Sequence, residues 1–138
     1  MNGNGHAVLE ALTEPAEKAI GGPQLALDKS PYRFGRECRG GKKNFWVQNR
    51  RAFLMKPNND IYMWDVSYKI QISREHFLIQ MADDGIYEVL DRGSRCGICV
   101  NELRLGPDGR SDSCLLNDGD TVVVGLAESP YQYMFIQP

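Results

Sequence analysis

From Leu25 onward the apolar residues come in short runs, many alternating with polar ones, and Gly, Asp, Asn or Pro breaks each run. Alternation with a period of two is the mark of a strand with one buried face, and turn residues at such close spacing point to an all-β sandwich or barrel. The pattern predicts strands over 24–27, 32–35, 60–64, 76–81, 86–90, 98–100, 102–105, 121–124 and 131–136. Asp83-Asp84-Gly85 reads as a hairpin turn, and Asn117-Asp118-Gly119-Asp120 as a second turn before the last two strands. Most of the gaps are too short to hold crossover helices, which disfavours a parallel α/β arrangement.

The first residues follow another period. Val8, Leu12, Ala16, Ala19 and Ile20 share one face at helical spacing, Thr13 is a capping residue with Pro15 in the first turn, and Gly21-Gly22-Pro23 is a stop. Residues 1–23 are therefore read as a short, partly helical tail and 24–138 as the domain.

A chain of 138 residues with 42% hydrophobic and 25% charged side chains suits one compact domain. Sixteen basic residues against eighteen acidic ones leave a net charge of -2, which argues against a nucleic-acid binder or a membrane-surface protein. The distribution is uneven, however: nine of the sixteen cations lie between Lys29 and Lys56, with Glu37 the one acid among them. No apolar run is long enough to cross a bilayer and no leader pattern opens the chain, so a cytoplasmic location is expected. In that reducing compartment Cys38, Cys96, Cys99 and Cys114 are expected to stay free thiols.

Four elements then appear in order. Phe34-Gly35-Arg36 ends an early strand; Ile72-Ser73-Arg74-Glu75-His76 opens a middle one; Asp91-Arg92-Gly93-Ser94-Arg95-Cys96-Gly97 is a turn; and Ile98-Cys99-Val100-Asn101 follows it. With the Asp118-Gly119-Asp120 approach to the last strands, this order resembles the forkhead-associated (FHA) domain over residues 24–137. The resemblance implies a SMAD/FHA-like β-sandwich of about eleven strands and a phosphothreonine-peptide reader with neither catalytic residues nor a metal or other cofactor. A phosphothreonine brings about -1.5 to -2 charges and three acceptor oxygens, so its reader needs a planar cation and short donors on rigid strand ends. By the resemblance Arg36 is the phosphate-binding arginine and Ser73 the second phosphate contact. Arg74 offers a further contact, and Ser94, Arg95 and Cys96 lie in the turn facing the peptide. Gly35, His76, Gly97 and Asn101 support the binding loops. The implied partner is a phosphothreonine-containing protein, including a Ser/Thr kinase or its substrate, in kinase-linked signalling.

Two features depart from the family pattern. Cys96 stands where the family has an asparagine that bonds the peptide main chain, and a thiol is a weak donor and acceptor. An insertion at 37–57 separates Arg36 from the next strand and interleaves Arg39, Lys42, Lys43, Arg50, Arg51 and Lys56 with Phe45, Trp46 and Phe53. The alternative reading is therefore an FHA-like scaffold with a weakened phosphate pocket, making phospho-independent contacts through the insertion. Other chemistries fit less well. Cys96-Gly97-Ile98-Cys99 has the spacing of a metal or redox pair but straddles a β-turn, and Ser73, His76 and Asp91 lack a nucleophile elbow.

Overall fold

The computed structural model describes residues 7–36, 59–63, 72–107, 109 and 111–138. Among these residues eleven strands and one short helix follow one another in chain order: β1 Val8–Ala11, α1 Glu14–Ile20, β2 Gln24–Ala26, β3 Tyr32–Arg36, β4 Ile61–Met63, β5 Phe77–Asp83, β6 Ile86–Asp91, β7 Ile98–Val100, β8 Leu103–Leu105, β9 Ser113–Leu116, β10 Thr121–Val124 and β11 Gln132–Ile136. They form a six-stranded sheet, β2-β1-β11-β10-β7-β8, and a five-stranded sheet, β4-β3-β5-β6-β9. All named pairings are antiparallel except β3 with β4.

Period-two alternation builds the core as expected. In β6 the buried Tyr87 and Val89 alternate with the partly exposed Glu88 and Leu90, and in β11 Tyr133 and Phe135 are fully buried between partly exposed neighbours. The inward residues of the two sheets meet in one apolar cluster, with the Tyr87 and Phe135 rings 5.6 Å apart across it. Within the smaller sheet Phe34 and Phe77 stack with centroids 4.4 Å apart, anchoring the end of β3 to the start of β5.

All nine predicted strands are present, and the structure adds two. Residues 1–23 were expected to form a tail, yet β1 lies between β2 and β11, and Leu9 is fully buried. Val8, Leu12 and Ala16 fit a helical period by coincidence of a strand running into a helix. The helix itself is where the cap signals put it. Thr13 Oγ accepts the Ala16 N–H at 3.3 Å, and Gly21 ends the helix in the left-handed region at φ 81°. Tyr133 Oη donates to the Ala16 carbonyl at 3.1 Å, which ties α1 to the large sheet. The second addition, β9, pairs with β6 at the sheet edge and buries only Leu116 fully, so it has no alternation to read. The insertion at 37–57 lies outside the described residues.

Candidate functional site

β3 and β5 run antiparallel, which brings Arg36 at the end of one beside the 72–76 segment that enters the other. The Arg36 N–H donates to the Ser73 carbonyl at 2.8 Å, and the His76 N–H donates to the Phe34 carbonyl at 3.0 Å. A third segment, the turn between β6 and β7, closes on the same place: the Arg95 N–H donates to Ser73 Oγ at 2.9 Å.

His76 binds these three segments together from a fully buried position. Its Nδ1 accepts the Ser73 N–H at 3.0 Å, and its Nε2 lies 2.7 Å from the Gly97 carbonyl. An Nδ1 that accepts leaves the proton on Nε2, so the neutral ring donates to Gly97 and links the two loops. The glycines permit this closeness. A Cβ on Gly35 would lie 1.9 Å from the Arg74 carbonyl oxygen, and one on Gly97, at φ 70°, would lie 2.3 Å from the Leu105 carbonyl oxygen.

The turn has its own internal scaffold. Asp91 Oδ2 accepts the N–H groups of Gly93 and Ser94, both at 3.0 Å, while Ser94 Oγ donates to Asp91 Oδ1 and accepts the Gly97 N–H at 2.9 Å. Ser94 was expected to face the peptide, but its side chain is buried with its bonds made inside the turn, so it shapes the loop instead. Asn101 also differs from expectation. It sits across β7 from Gly97, at φ 57°, donating to Asp120 Oδ1 at 3.0 Å and accepting the Thr121 N–H at 3.1 Å, so it secures the β7–β8 turn at the opposite end of the sandwich.

Three residues that hold the site were missed in the sequence. Arg104 spans the loops from β8, donating to the Cys96 carbonyl and, at 2.8 Å, to the Gly125 carbonyl. Asn59 is buried and donates to the Arg74 carbonyl at 2.6 Å, while its own Oδ1 accepts from Arg92 Nη1 at 2.6 Å. Burial pushes the Arg92 guanidinium below the usual arginine range, opposed by the nearby Glu75 carboxylate, 3.7 Å from Nη2. A loop carbonyl carries no side-chain signal, so neither Asn59 nor Arg104 was visible as its partner before folding.

What remains unsatisfied is as informative as what is bonded. Arg36 Nε is buried and has no hydrogen-bond partner among the described residues. Leaving a buried charged donor unpaired is costly, about 1–3 kcal/mol or more. Ser73 Oγ is already an acceptor for Arg95, which leaves its hydrogen available to donate. Arg74 and Arg95 are exposed beside it, and Cys96 is a half-buried free thiol on the same turn. A buried N–H, a poised hydroxyl and two open guanidiniums make a place for a compact anion with several acceptor oxygens.

A family model for the FHA domain matches residues 32–125. Among solved structures the chain is similar to the FHA domain of the CT664 protein from Chlamydia trachomatis, with TM-score 0.59 and 20% identity over 95% of this chain and 96% of that one. It is similar to full-length yeast Pml1p, with TM-score 0.63 and 21% identity over 96% of this chain and 82% of the other. The N-terminal FHA domain of S. cerevisiae Rad53p in complex with a phosphothreonine peptide matches with TM-score 0.62 and 17% identity, over 96% of this chain and 94% of that one. No match was found among curated proteins.

Proposed function

The chain belongs to the FHA domain family, and from that premise we propose that it is a non-enzymatic cytoplasmic module that binds phosphothreonine-containing segments of partner proteins in Ser/Thr-kinase-linked signalling. The observation that carries this reading is the buried Arg36 Nε, without a partner among the described residues, set beside a Ser73 hydroxyl whose hydrogen is left to donate. A phosphate oxygen would satisfy the first and accept from the second, in charge-assisted bonds roughly twice as strong as neutral ones. The Arg36 N–H on the Ser73 carbonyl and the Arg95 N–H on Ser73 Oγ join the backbones of these segments before any ligand arrives, which lowers the ordering entropy lost on binding. His76, Asn59 and Gly35 contribute through position: each constrains the 73–76 loop from behind. Arg74, Arg95 and Cys96 lie where residues flanking the phosphothreonine would pass.

Titration with a phosphothreonine peptide library and its unphosphorylated counterpart tests the proposal. Tighter binding of phosphorylated members, lost in Arg36→Ala, supports it. Equal binding of both forms would support the alternative, a scaffold making phospho-independent contacts through residues 37–57, for which the weakly bonding Cys96 thiol is the favouring observation.

A further inference from the structure

Among the described residues, the acids and cations around the pocket do not cancel. Asp91 is buried and committed to Gly93 and Ser94. Glu75 lies 3.7 Å from Arg92. Asp60 is taken by Lys29 at 2.5 Å and by Arg33 at 3.1 Å. Among the described residues, Asp60, Glu75 and Asp91, the acids on the segments that build the site, are thus already engaged, while Arg36, Arg74 and Arg95 form no ion pair.

These three cations converge by backbone geometry. Arg36 bonds the Ser73 carbonyl, Arg74 is the next residue, and the Arg95 N–H sits 2.9 Å from Ser73 Oγ. The Arg95 Cα is therefore no more than about 4.4 Å from that oxygen, and both exposed side chains begin within reach of one bound phosphate. Asn59 fixes the Arg74 carbonyl and Ser73 fixes the Arg95 N–H, so the backbones that carry the two guanidiniums are held while their heads stay open. One phosphothreonine brings about -1.5 to -2 charges against three guanidiniums, which leaves at least one positive charge unmatched.

Resting on the reader function proposed above, we infer that the preferred ligand class is a phosphothreonine segment with a second anionic group, carboxylate or phosphoryl, on a neighbouring residue, held by Arg74 and Arg95. The phosphothreonine itself occupies Arg36 and Ser73, and the second anion takes the two open guanidiniums.

The test uses three synthetic peptides sharing one phosphothreonine: one with neutral flanks, one with aspartates beside it and one with an adjacent phosphoserine. At about 50 mM salt, titration calorimetry on the full chain should show the anion-flanked peptides binding about tenfold tighter than the neutral one, with the gap closing near 0.5 M salt. In the double variant Arg74→Gln/Arg95→Gln the ratio between anionic and neutral peptides should fall below about threefold, whatever happens to absolute affinity. The aspartate and phosphoserine peptides, compared with each other, report which anion is the better fit. Equal binding of all three peptides by the unmodified chain, or a ratio that survives the double variant, overturns the inference while leaving the reader function standing. Failure of every phosphorylated peptide to outbind its unphosphorylated form overturns both.

Discussion

At the end of the sandwich where β3 stops at Arg36, the side chains that stitch the loops are buried: His76, Asn59, Asp91 and Ser94 are all at most 7% exposed. At the opposite end the turns after β5, β7 and β9 are stitched by the same kinds of residue, but in the open. Asp83 Oδ1 accepts the Asp84 N–H at 2.8 Å, Asp120 Oδ2 the Asn117 N–H at 2.8 Å and Asp118 Oδ1 the Gln137 N–H at 2.8 Å. Those turns carry Asp83, Asp84, Glu102, Asp118 and Asp120 and no Lys or Arg, whereas the buried end leaves Arg36, Arg74 and Arg95 without counter-ions among the described residues. The same device, a short polar side chain satisfying a turn N–H, therefore serves two purposes. In solvent it closes a hairpin and contributes modestly; under cover it makes a rigid frame that can hold cations in an unsatisfied state.

If burial is what separates the two ends, the largest effects belong to the buried one. Gly35→Ala should cost about 3 kcal/mol or more in denaturant unfolding, because the new methyl meets the Arg74 carbonyl and the loop must move to admit it. A change under about 1 kcal/mol would mean that the loop yields easily and that the frame is not rigid.

Arg36→Ala sharpens the comparison in the other direction. Phosphopeptide binding should weaken by about 2–3 kcal/mol in calorimetric titration. Folding stability should hold or rise slightly, since the variant removes a buried donor that has no partner among the described residues. A loss of stability equal to the loss of binding would make Arg36 a structural residue and remove the distinction between the ends.

Much of this frame was legible in the sequence because strand alternation and turn residues leave local marks. Nine strands and the Thr13 cap declare themselves through spacing and residue type, and the Arg36, Ser73, His76 and Gly97 set through the resemblance of the ordered motifs to the FHA domain. The rest depends on contacts between segments far apart in the chain. β1 buries Leu9 only because β2 and β11 flank it, so a four-residue strand leading into a helix was read with the helix. The resemblance puts Ser94 in the turn that faces the peptide; only the fold shows its hydroxyl spent between Asp91 and Gly97. Asn59, Arg92 and Arg104 act on carbonyls and on one another across loops, and nothing in their own sequence neighbourhoods records that.

Asp60 gives a smaller, pH-dependent test on the cationic side. Burial opposes its charge, but hydrogen bonds from the Arg33 side chain, Lys29 and the Arg33 backbone N–H hold the carboxyl down at about 2 against an ordinary 3.8. A folded pKa below the unfolded one stabilises the protein above pH 3.8 and loses that contribution as pH falls toward 2. After allowance for screening the contribution is about 1–2 kcal/mol. Denaturant melts between pH 5 and pH 2 (about that range) should show the loss, and Asp60→Asn should flatten it; an unchanged slope in the variant would assign the acid sensitivity elsewhere.

The smallest expected effect is at the open end. Asp120 accepts the Asn117 N–H at 2.8 Å and the Asn101 amide at 3.0 Å, and both partners are exposed. Water can replace a carboxylate at an exposed donor, so Asp120→Ala should lower stability by only about 0.5–1 kcal/mol. Phosphopeptide affinity should not change, because β7 separates this turn from Gly97 and no bond from Asp120 reaches the 73–76 loop. Parallel unfolding and titration measurements decide the point. A loss of affinity beyond about threefold would show that the two ends communicate through β7 and β10, and the site would then depend on the whole sandwich rather than on the buried frame at one end of it.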